Sequence, residues 1–463
     1  MPTPVLTCLG AAGTVTGSRH LLEYNQHRVL IDCGLFQERH LQAHNFDAFN
    51  PPASSLDAVL LTHGHLDHCG LLPRLVAQGF TGRVHATSAT CAIAPIVMAD
   101  SARLQMEDAK FKQKRHAKEG REATHGYAPL YDDEDVQAAV ARLAPAVIGQ
   151  RVSLAPGIEA VFFHAGHILG SASIAVTAGT GADRRTVLFS GDLGRRHNPL
   201  VPDPAILQDC DAVVIESTYG DRLHEPTADI GSALEAAIAP AAKRGGVVLV
   251  PCFAVERAQE LLWHLGRLFR AKRLPPMPVH LDSPMAQRLL EVFRTHPEAT
   301  SLGFSAADLD FPGLHLTHGQ EESKQINERN GPMIVIAGSG MCTGGRIKHH
   351  LAHRLGDARN LVLFVGYQAD GTLGRQILEG RKRVRLFGGE REVNAQIAQV
   401  RGFSGHADRD ELLGWLERLP HRPRQVVVVH GGATVSGSFA RLVNERLHVP
   451  AQAAVAGVPI ALM

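Results

Sequence analysis

The sequence lacks most of the features that place a protein in a specialised class. Its seven cysteines are an odd number and include no Cys-x-x-Cys pair, which argues against a disulfide framework and is typical of reduced thiols in a cytoplasmic protein. No apolar run reaches the roughly 18 residues that a membrane-spanning helix needs, and the N-terminus lacks a basic segment followed by a long apolar run. We therefore expect a cytoplasmic protein with no signal peptide and no membrane contact.

Aromatic residues and net charge are also scarce. Phe, Trp and Tyr make up 5% of the chain, and the formal net charge is +1. Few aromatic rings argue against a long base-stacking surface, and balanced charge means that any nucleic-acid contact must come from a local basic patch. Two basic stretches, at residues 110–121 and 381–385, could follow a nucleic-acid backbone or form solvated faces.

Histidine, in contrast, is abundant, and four potential metal ligands lie within residues 62–68 (THGHLDH): His63, His65, Asp67 and His68. On a strand end or in a tight loop this spacing can direct alternate side chains into one pocket. Imidazole and carboxylate groups together are ligands for zinc or another borderline divalent ion. A chance His-x-His is common, but four ligands directly after an apolar run predict a metal site.

The first half of the chain has the pattern of two packed sheets. Short β-type runs occur both in hairpin-like groups and alternating with helical patterns, which predicts an α/β protein with an αββα sandwich. The predicted strands are residues 5–9, 21–24, 28–31, 58–61, 83–86, 158–164, 173–176, 186–189 and 212–215.

The second half of the chain has a different pattern of apolar residues. Fully apolar strands alternate with helices there, which predicts a parallel sheet covered on both faces. Strand-like runs of the first kind return at residues 399–404 and 425–430. We therefore predict three segments, in a chain whose length suits two domains. Residues 1–220 form the first part of the sandwich domain, 221–392 an inserted parallel-sheet α/β domain, and 393–463 the C-terminal part of the sandwich domain.

Four more candidate site residues follow predicted strands and lie close to glycines. They are Asp32, His167, Asp192 and His430. A lone Asp or His at a strand end usually caps a turn. Together with residues 62–68, however, these four predict strand ends that converge on one metal centre.

These motifs resemble those of the metallo-β-lactamase superfamily and, within it, of the β-CASP ribonucleases, in which a cap domain is inserted into the lactamase-like domain. Three further motifs carry the resemblance: Glu216 in ESTYGDR, His406 in GFSGHAD and His430 in VVHGG. The resemblance covers essentially the whole chain and is closest to bacterial relatives of the endonuclease subunit of the mRNA 3′-end cleavage complex. The last motif usually reads His-Gly-Glu, whereas this chain has Gly432 in place of the glutamate.

The resemblance implies two zinc ions per chain, with Asp192 bridging them. One zinc would be held by His63, His65 and His167, and the other by Asp67, His68 and His430. Asp32 would orient one of the ligands without binding metal itself.

The resemblance also implies a reaction, in which a hydroxide activated by the two metals attacks the phosphorus of an RNA phosphodiester in line. Asp67, Glu216 and His406 are the candidate catalytic residues. His406, oriented by Glu216, would donate a proton to the leaving 3′-oxygen. The alternative for Glu216 is a carboxylate that caps a helix or forms a salt bridge.

Residues 337–346 (AGSGMCTGGR) are the main candidate for substrate contact. Closely spaced backbone N–H groups at a helix start can hold a phosphate, although a tight strand-to-helix turn has the same composition. Ser339, Arg346, Ser404 and Arg257 are the candidate substrate-binding side chains.

The sequence therefore predicts a zinc-dependent ribonuclease acting on single-stranded RNA, with endonuclease action and 5′-exonuclease action both open. A DNA nuclease is disfavoured, because the resemblance implies that DNA-acting members lack the histidine equivalent to His430. A small-molecule metallo-hydrolase and a non-catalytic RNA-processing scaffold subunit are the alternatives. A homodimer is also a possible partner arrangement.

Overall fold

The computed structural model of the protein describes residues 3–119, 128–205, 209–225 and 229–462. The chain forms two compact units. The first contains Met1–Leu223 and His406–Met463, and the second is the intervening segment His224–Gly405. Among the described helices, none is both long and apolar enough to cross a membrane.

Two seven-stranded sheets, as counted over the described residues, make up the core of the first unit. The strands of the first sheet, in spatial order, are Pro459–Ala461, Val5–Gly10, Arg19–Tyr24, His27–Ile31, Ala58–Leu60, Arg83–Thr87 and Leu143–Ala146. Those of the second sheet are Ala451–Ala453, Gln425–Val428, Ala212–Ile215, Arg185–Phe189, Ala172–Ala178, Ile158–His164 and Arg151–Ala155.

The two sheets pack face to face. Leu6 and Leu22 of the first sheet share one buried cluster with Phe162, Ile174 and Val176 of the second. Side chains alternate between the two faces of a strand, so each sheet directs one set of apolar residues into this interface. Full burial of each such side chain stabilises the fold by roughly 1.5–3 kcal/mol.

Helices cover the outer faces of both sheets. On the second sheet, Trp415 and Phe439 pack on Leu188, Val213 and Val426. The helices of the first unit are Leu66–Cys69, Leu72–Ala77, Ser88–Glu119, Asp133–Val140, Arg409–Glu417 and Ala433–Leu447, and its short 3-10 helices are Gln42–Phe46, Ala53–Ser55 and Gly181–Asp183. The predicted αββα sandwich is thus confirmed.

The second unit contains a parallel sheet, as predicted for the inserted α/β domain. Its strands, in spatial order, are Leu314–Leu316, Val279–Asp282, Met333–Ala337, Val247–Pro251, Leu361–Phe364 and Gln396–Gln399. Its helices are Ile230–Lys243, Arg257–Arg270, Pro284–Thr295, Gln320–Glu328, Ile347–Arg354 and Leu373–Leu378, with 3-10 helices at Pro297–Ala299 and Ala306–Leu309. A hairpin of Arg383–Leu386 and Gly389–Glu392 is separate from the sheet.

One strand prediction was wrong. Residues 399–404 were expected to form a strand of the sandwich domain, but the strand is Gln396–Gln399 and it pairs with Leu361–Phe364 in the sheet of the second unit. This strand lies at the sheet edge and is only partly buried. An edge strand with polar ends gives a weak apolar signal, which explains the error.

Strand direction brings the candidate residues together. Three neighbouring strands of the second sheet run parallel to one another, so their carboxyl ends lie at the same edge. Asp192, Glu216 and His430 follow within three residues of these ends. In the first sheet, two neighbouring parallel strands are followed by Asp32 and by residues 62–68.

Candidate active site

The structure brings the seven predicted metal ligands together in the first unit. We call them the ligand cluster: His63, His65, Asp67, His68, His167, Asp192 and His430. Two subsets each have ligand atoms that all lie within 4.8 Å of one another: His63, His65, His167 and Asp192 in one, and Asp67, His68 and His430 in the other. These subsets match the two ligand sets that the resemblance implied.

Asp192 lies between the two subsets. Its Oδ2 is 3.5 Å from His63 Nε2 and 3.6 Å from His167 Nε2. Its Oδ1 is 3.4 Å from His68 Nε2 and 3.5 Å from His430 Nε2. Two atoms bound to one tetrahedral zinc at about 2.1 Å are about 3.4 Å apart, so each oxygen stands where it could share a metal with its own pair of histidines.

The remaining ligand contacts are as close. His65 Nδ1 lies 3.0 Å from His63 Nε2 and 3.2 Å from His167 Nε2, and His68 Nε2 lies 3.0 Å from His430 Nε2. Ring nitrogens this close to one another can direct their lone pairs toward a single point. That arrangement is typical of imidazoles around a metal.

Asp32 fixes the orientation of His68. It directly follows a strand, is buried, and its Oδ2 lies 2.7 Å from His68 Nδ1. Its carboxylate also accepts hydrogen bonds from the backbone N–H and the hydroxyl of Thr62. With Nδ1 engaged, His68 presents Nε2 to the cluster, which is the orienting role expected for Asp32.

Thr218 has the corresponding position at His430, although it was not among the predicted site residues. Its Oγ1 is 3.1 Å from His430 Nδ1, so Nε2 is the nitrogen that faces Asp192. Thr218 belongs to the same ESTYGDR motif as Glu216. A hydroxyl two residues from a functional carboxylate was the available signal, but a threonine in a loop is too common to single out.

The charges of the cluster suit a divalent cation. Burial lowers the pKa of His63 and brings the pKa of His65 to about 4, so both rings are neutral and can donate a lone pair to a metal at pH 7. Burial also acts to lower the pKa of His68 and His430, but the carboxylate of Asp192 helps to raise both. Carboxylates that draw protons onto neighbouring histidines will also attract a cation in place of those protons.

One buried atom supports the same conclusion. Asp192 Oδ1 is buried and accepts no hydrogen bond within the described part of the chain. The nitrogens that face this oxygen are His68 Nε2 at 3.4 Å and His430 Nε2 at 3.5 Å, and a buried carboxylate oxygen is costly unless it is paired or coordinates a metal. The donor set, its spacing and this oxygen therefore fit a metal bound at the cluster.

Glu216 and His406 form a pair beside the cluster. Glu216 is buried, and its Oε1 lies 3.0 Å from His406 Nδ1. The carboxylate also accepts the backbone N–H groups of Leu193 at 2.8 Å and Thr218 at 3.2 Å, so it is held in place. The structure thus gives Glu216 a defined ring partner in addition to structural hydrogen bonds.

The environment of His406 favours its protonated form. Burial acts to lower its pKa, but Glu216 and Asp192 outweigh that effect and raise the pKa to about 9. The ring is placed by the helix Arg409–Glu417, which begins with a capping box of Asp408 and Glu411. The final Asp of GFSGHAD is therefore a helix cap, whereas its His is the residue that pairs with Glu216.

Comparisons with known proteins agree with this geometry. The family model "Metallo-beta-lactamase superfamily" matches residues 14–250, the "Beta-Casp domain" model matches 258–377, and the "Zn-dependent metallo-hydrolase RNA specificity domain" model matches 390–454. The chain belongs to the β-CASP ribonucleases of the metallo-β-lactamase superfamily. The predicted family and the predicted inserted β-CASP domain are both confirmed.

Similar proteins come from bacteria and archaea. The chain is 41% identical to Ribonuclease TTHA0252 of Thermus thermophilus, over 91% of this chain and 92% of that protein. It is 32% identical to Transcription termination factor FttA of Methanocaldococcus jannaschii, over 96% of this chain and 70% of that protein. A crystal structure of a protein of unknown function from Enterococcus faecalis covers 99% of this chain and all of that chain at 12% identity and a TM-score of 0.57, which shows the fold alone.

Gly432 departs from the usual β-CASP motif without a steric reason. It precedes the helix Ala433–Leu447, and a methyl group at this position would meet no atom within 4 Å. A glutamate side chain would therefore have space to leave the backbone. Gly432 supplies no side chain that could contact His430, and the hydroxyl of Thr218 lies 3.1 Å from His430 Nδ1.

The four predicted substrate-binding residues all lie in the second unit. Arg346 donates to Asp282 and to the carbonyl of Thr317. Arg257 donates to Glu260 at 2.6 Å. Both guanidinium groups thus have structural partners within their own unit, and their role in binding substrate stays a prediction.

The two predicted serines differ in their surroundings. The hydroxyl of Ser339 accepts the backbone N–H of Gly344 at 3.1 Å and lies 3.2 Å from the hydroxyl of Thr343, so it braces the glycine-rich turn. Ser404 is part-buried, two residues before His406 in the chain. Substrate contact by these serines also stays a prediction.

The two basic stretches are partly neutralised. On the helix Ser88–Glu119, Lys112 pairs with Asp108 at 2.6 Å. The side chains of residues 115–119, and Arg121 as a whole, lie outside the described residues. In the hairpin of the second unit, Arg383 lies 3.6 Å from Glu392. Such exposed pairs are typical of solvated faces.

Proposed function

We propose that this protein is a zinc-dependent ribonuclease that binds two zinc ions and hydrolyses single-stranded RNA to 3′-hydroxyl and 5′-phosphate ends. The observation that carries the proposal is the position of Asp192, whose two carboxylate oxygens each face a different pair of histidine Nε2 atoms. The names of the similar proteins, a ribonuclease and a transcription termination factor, favour RNA as the substrate.

The ligand cluster would hold zinc through the two sets of residues described above. Bound zinc lowers the pKa of water and offsets negative charge at phosphorus. His406, held by Glu216 through Nδ1, would donate a proton to the 3′-oxygen as the phosphorus–oxygen bond breaks. An alkoxide is a poor leaving group, so this proton transfer is expected to contribute about 10²–10⁴-fold to the rate.

The intact ligand set favours catalysis over the non-catalytic scaffold. All seven ligands and the Glu216–His406 pair are present, whereas a scaffold has no need to keep seven converging ligand atoms buried. The possible homodimer has no support from the comparisons and is not part of the proposal.

The experiment that tests this function is cleavage of one single-stranded RNA, labelled separately at each end, by the zinc-loaded protein. His65→Ala and His406→Ala are compared with His421→Ala, a control at an exposed histidine outside the cluster. Internal fragments from either label, lost in the first two variants and kept in the control, support a zinc endoribonuclease.

Other outcomes separate the alternatives. Release of mononucleotides from the 5′ end alone makes the protein an exonuclease. RNA binding without cleavage by the zinc-loaded protein contradicts the proposal and favours the scaffold. Absence of both binding and cleavage contradicts it in favour of a small-molecule hydrolase.

A further inference from the structure

The parallel sheet of the second unit has a point where its connections change direction. Strands Met333–Ala337 and Val247–Pro251 are neighbours, and the chain continues from them to strands on opposite sides of the pair, Leu361–Phe364 and Val279–Asp282. With right-handed crossovers, the loops that follow two such strands leave toward opposite faces of the sheet. In open α/β sheets, a crevice of this kind at the carboxyl ends of the strands is where ligands bind.

Two exposed aromatic rings follow strands at this edge of the sheet, one from a strand that flanks the crevice and one from the strand beside it. Phe253 follows the strand Val247–Pro251 and is 40% exposed. Tyr367 follows the neighbouring strand Leu361–Phe364 and is 57% exposed. We call Phe253 and Tyr367 the ring pair.

The ring of Phe253 lies against glycine backbone from two loops. A methyl group on Gly340 would lie 2.5 Å from the ring of Phe253, and one on Gly366 would lie 3.6 Å from it. The ring therefore lies against two glycines, one from each flanking loop, and any larger residue at Gly340 would displace it. Because glycines cannot cover a ring, part of its surface stays open to a ligand.

A buried amide holds these loops together. Gln368, which is buried, donates from Nε2 to the carbonyl of Gly340 at 2.9 Å and to that of Tyr367 at 3.0 Å. The loop that carries Tyr367 is thus tied to the loop against which Phe253 packs. Exposed rings on a backbone fixed in this way form a preorganised surface, which loses little conformational entropy on binding.

We propose that the ring pair stacks on bases of single-stranded RNA, an inference that rests on the proposed function. Every base offers a π-face, so stacking on two rings binds a short run of nucleotides without choosing a sequence. The polar groups nearby suit the rest of a nucleotide. The hydroxyl of Thr343, for example, is exposed in the glycine-rich loop.

The test measures RNA binding separately from cleavage. In the zinc-loaded His406→Ala background, the dissociation constant is measured for a ten-nucleotide oligouridylate and for an abasic ribose-phosphate strand of equal length. Phe253→Ala and Tyr367→Ala are each expected to weaken oligouridylate binding about tenfold, because a base stacked on a ring contributes on the order of one decade in affinity. Binding of the abasic strand should not change.

Matched controls are available for both rings. Phe46 is 41% exposed and Phe387 is 57% exposed, so Phe46→Ala and Phe387→Ala remove rings of equal exposure elsewhere. Both are expected to leave oligouridylate binding unchanged. Phe253→Tyr and Tyr367→Phe keep a ring and should keep the affinity, which separates stacking from a folding defect.

The outcomes distinguish this inference from the function on which it rests. If the parent protein binds oligouridylate and the ring-pair variants bind it equally well, stacking is contradicted while a ribonuclease remains supported. If the ring-pair variants lose the same factor of affinity for the oligouridylate and for the abasic strand, stacking is also contradicted, because the contribution of the rings then does not depend on bases. If the parent binds neither strand and the wild-type protein cleaves no RNA, the proposed function itself fails.

Discussion

The two units carry chemically opposite groups at the same kind of position, the carboxyl ends of parallel strands. In the first unit the loops carry histidines and carboxylates that are mostly buried and held by partners such as Asp32 and Thr218. In the second unit they carry glycines and two exposed rings. Metal ligands are held in orientation by their hydrogen-bond partners, whereas a ring must be open to stack on a base. On the two proposals above, the same strand geometry would support a metal site in the first unit and base stacking in the second, and the residues in the loops determine the difference.

We expect the largest effect from a substitution within the ligand cluster. In Asp192→Asn the side chain keeps its size but loses the charge that faces both histidine pairs. We expect loss of bound zinc and of detectable RNA cleavage, a larger effect than the roughly 100-fold cost of removing an outer hydrogen-bond partner. Elemental analysis and the cleavage assay check this. Asp203→Asn, at an exposed carboxylate outside the cluster, is the control, and two zinc ions retained by Asp192→Asn would contradict the bridging role.

The next effect separates proton transfer from metal binding. His406→Ala and Glu216→Gln are expected to slow cleavage by about 10²–10⁴-fold while zinc content stays at the wild-type value. A substrate with sulfur in place of the leaving 3′-oxygen needs no proton, so His406→Ala should cleave it at nearly the wild-type rate. An equal loss on both substrates would show that His406 does not act as the acid.

A smaller effect is expected at the hydroxyl that holds His430. Thr218→Val removes the contact to His430 Nδ1 and should weaken zinc binding by about 10–100-fold. Thr218→Ser keeps the hydroxyl and should bind zinc like the wild type. Competition with a zinc chelator of known affinity measures the difference, and equal affinities in all three proteins would leave Thr218 without an orienting role.

The smallest expected effect concerns the stability of the second unit and its pH dependence. Buried Asp282 accepts hydrogen bonds from Ser323 at 2.6 Å and from Arg346, and lies 2.7 Å from His350 Nε2. Burial opposes ionisation, but these partners lower its pKa below 3.8. A lowered folded-state pKa stabilises the fold at pH values above the unfolded-state pKa, and this stabilisation is lost as pH falls through the folded-state value.

We therefore expect the free energy of unfolding of the second unit to fall as the pH drops below about 4, where the unfolded carboxyl takes up a proton first. Asp282→Asn should lower stability at pH 7 and flatten this acid dependence. Fluorescence of Trp263 in a Trp415→Phe background reports on the second unit, because the chain has two tryptophans. An unchanged pH profile in Asp282→Asn would assign the acid sensitivity to other groups.

The sequence predicted the parts of the molecule that have unusual side-chain chemistry or strong apolar patterns. Four ligands within residues 62–68 are rare by chance, and the strand Ile158–His164 was predicted with its observed limits. The strand Leu143–Ala146 was missed because it lies at a sheet edge, contains Pro145 and is only partly buried. Edge strands need no continuous apolar run, so their signal is weak.

The site was predictable to the same extent and for the same reason. Metal ligands can be predicted from residue type and spacing. The roles of Thr218 and the ring pair cannot, because they depend on which loops are neighbours in the folded chain. No sequence pattern indicates that Phe253 lies against Gly340. The exposure of an aromatic ring is set by neighbours far away in the chain, and only the folded structure reveals it.

Whether the protein is a ribonuclease that works with two zinc ions can be decided by titrating the metal-free chain with zinc while RNA cleavage is measured. We expect no cleavage without zinc and a rate that reaches its maximum at two bound zinc ions per chain. Cleavage that persists in excess chelator, a maximum at one zinc per chain, or a chain with two bound zinc ions that leaves RNA intact would contradict it.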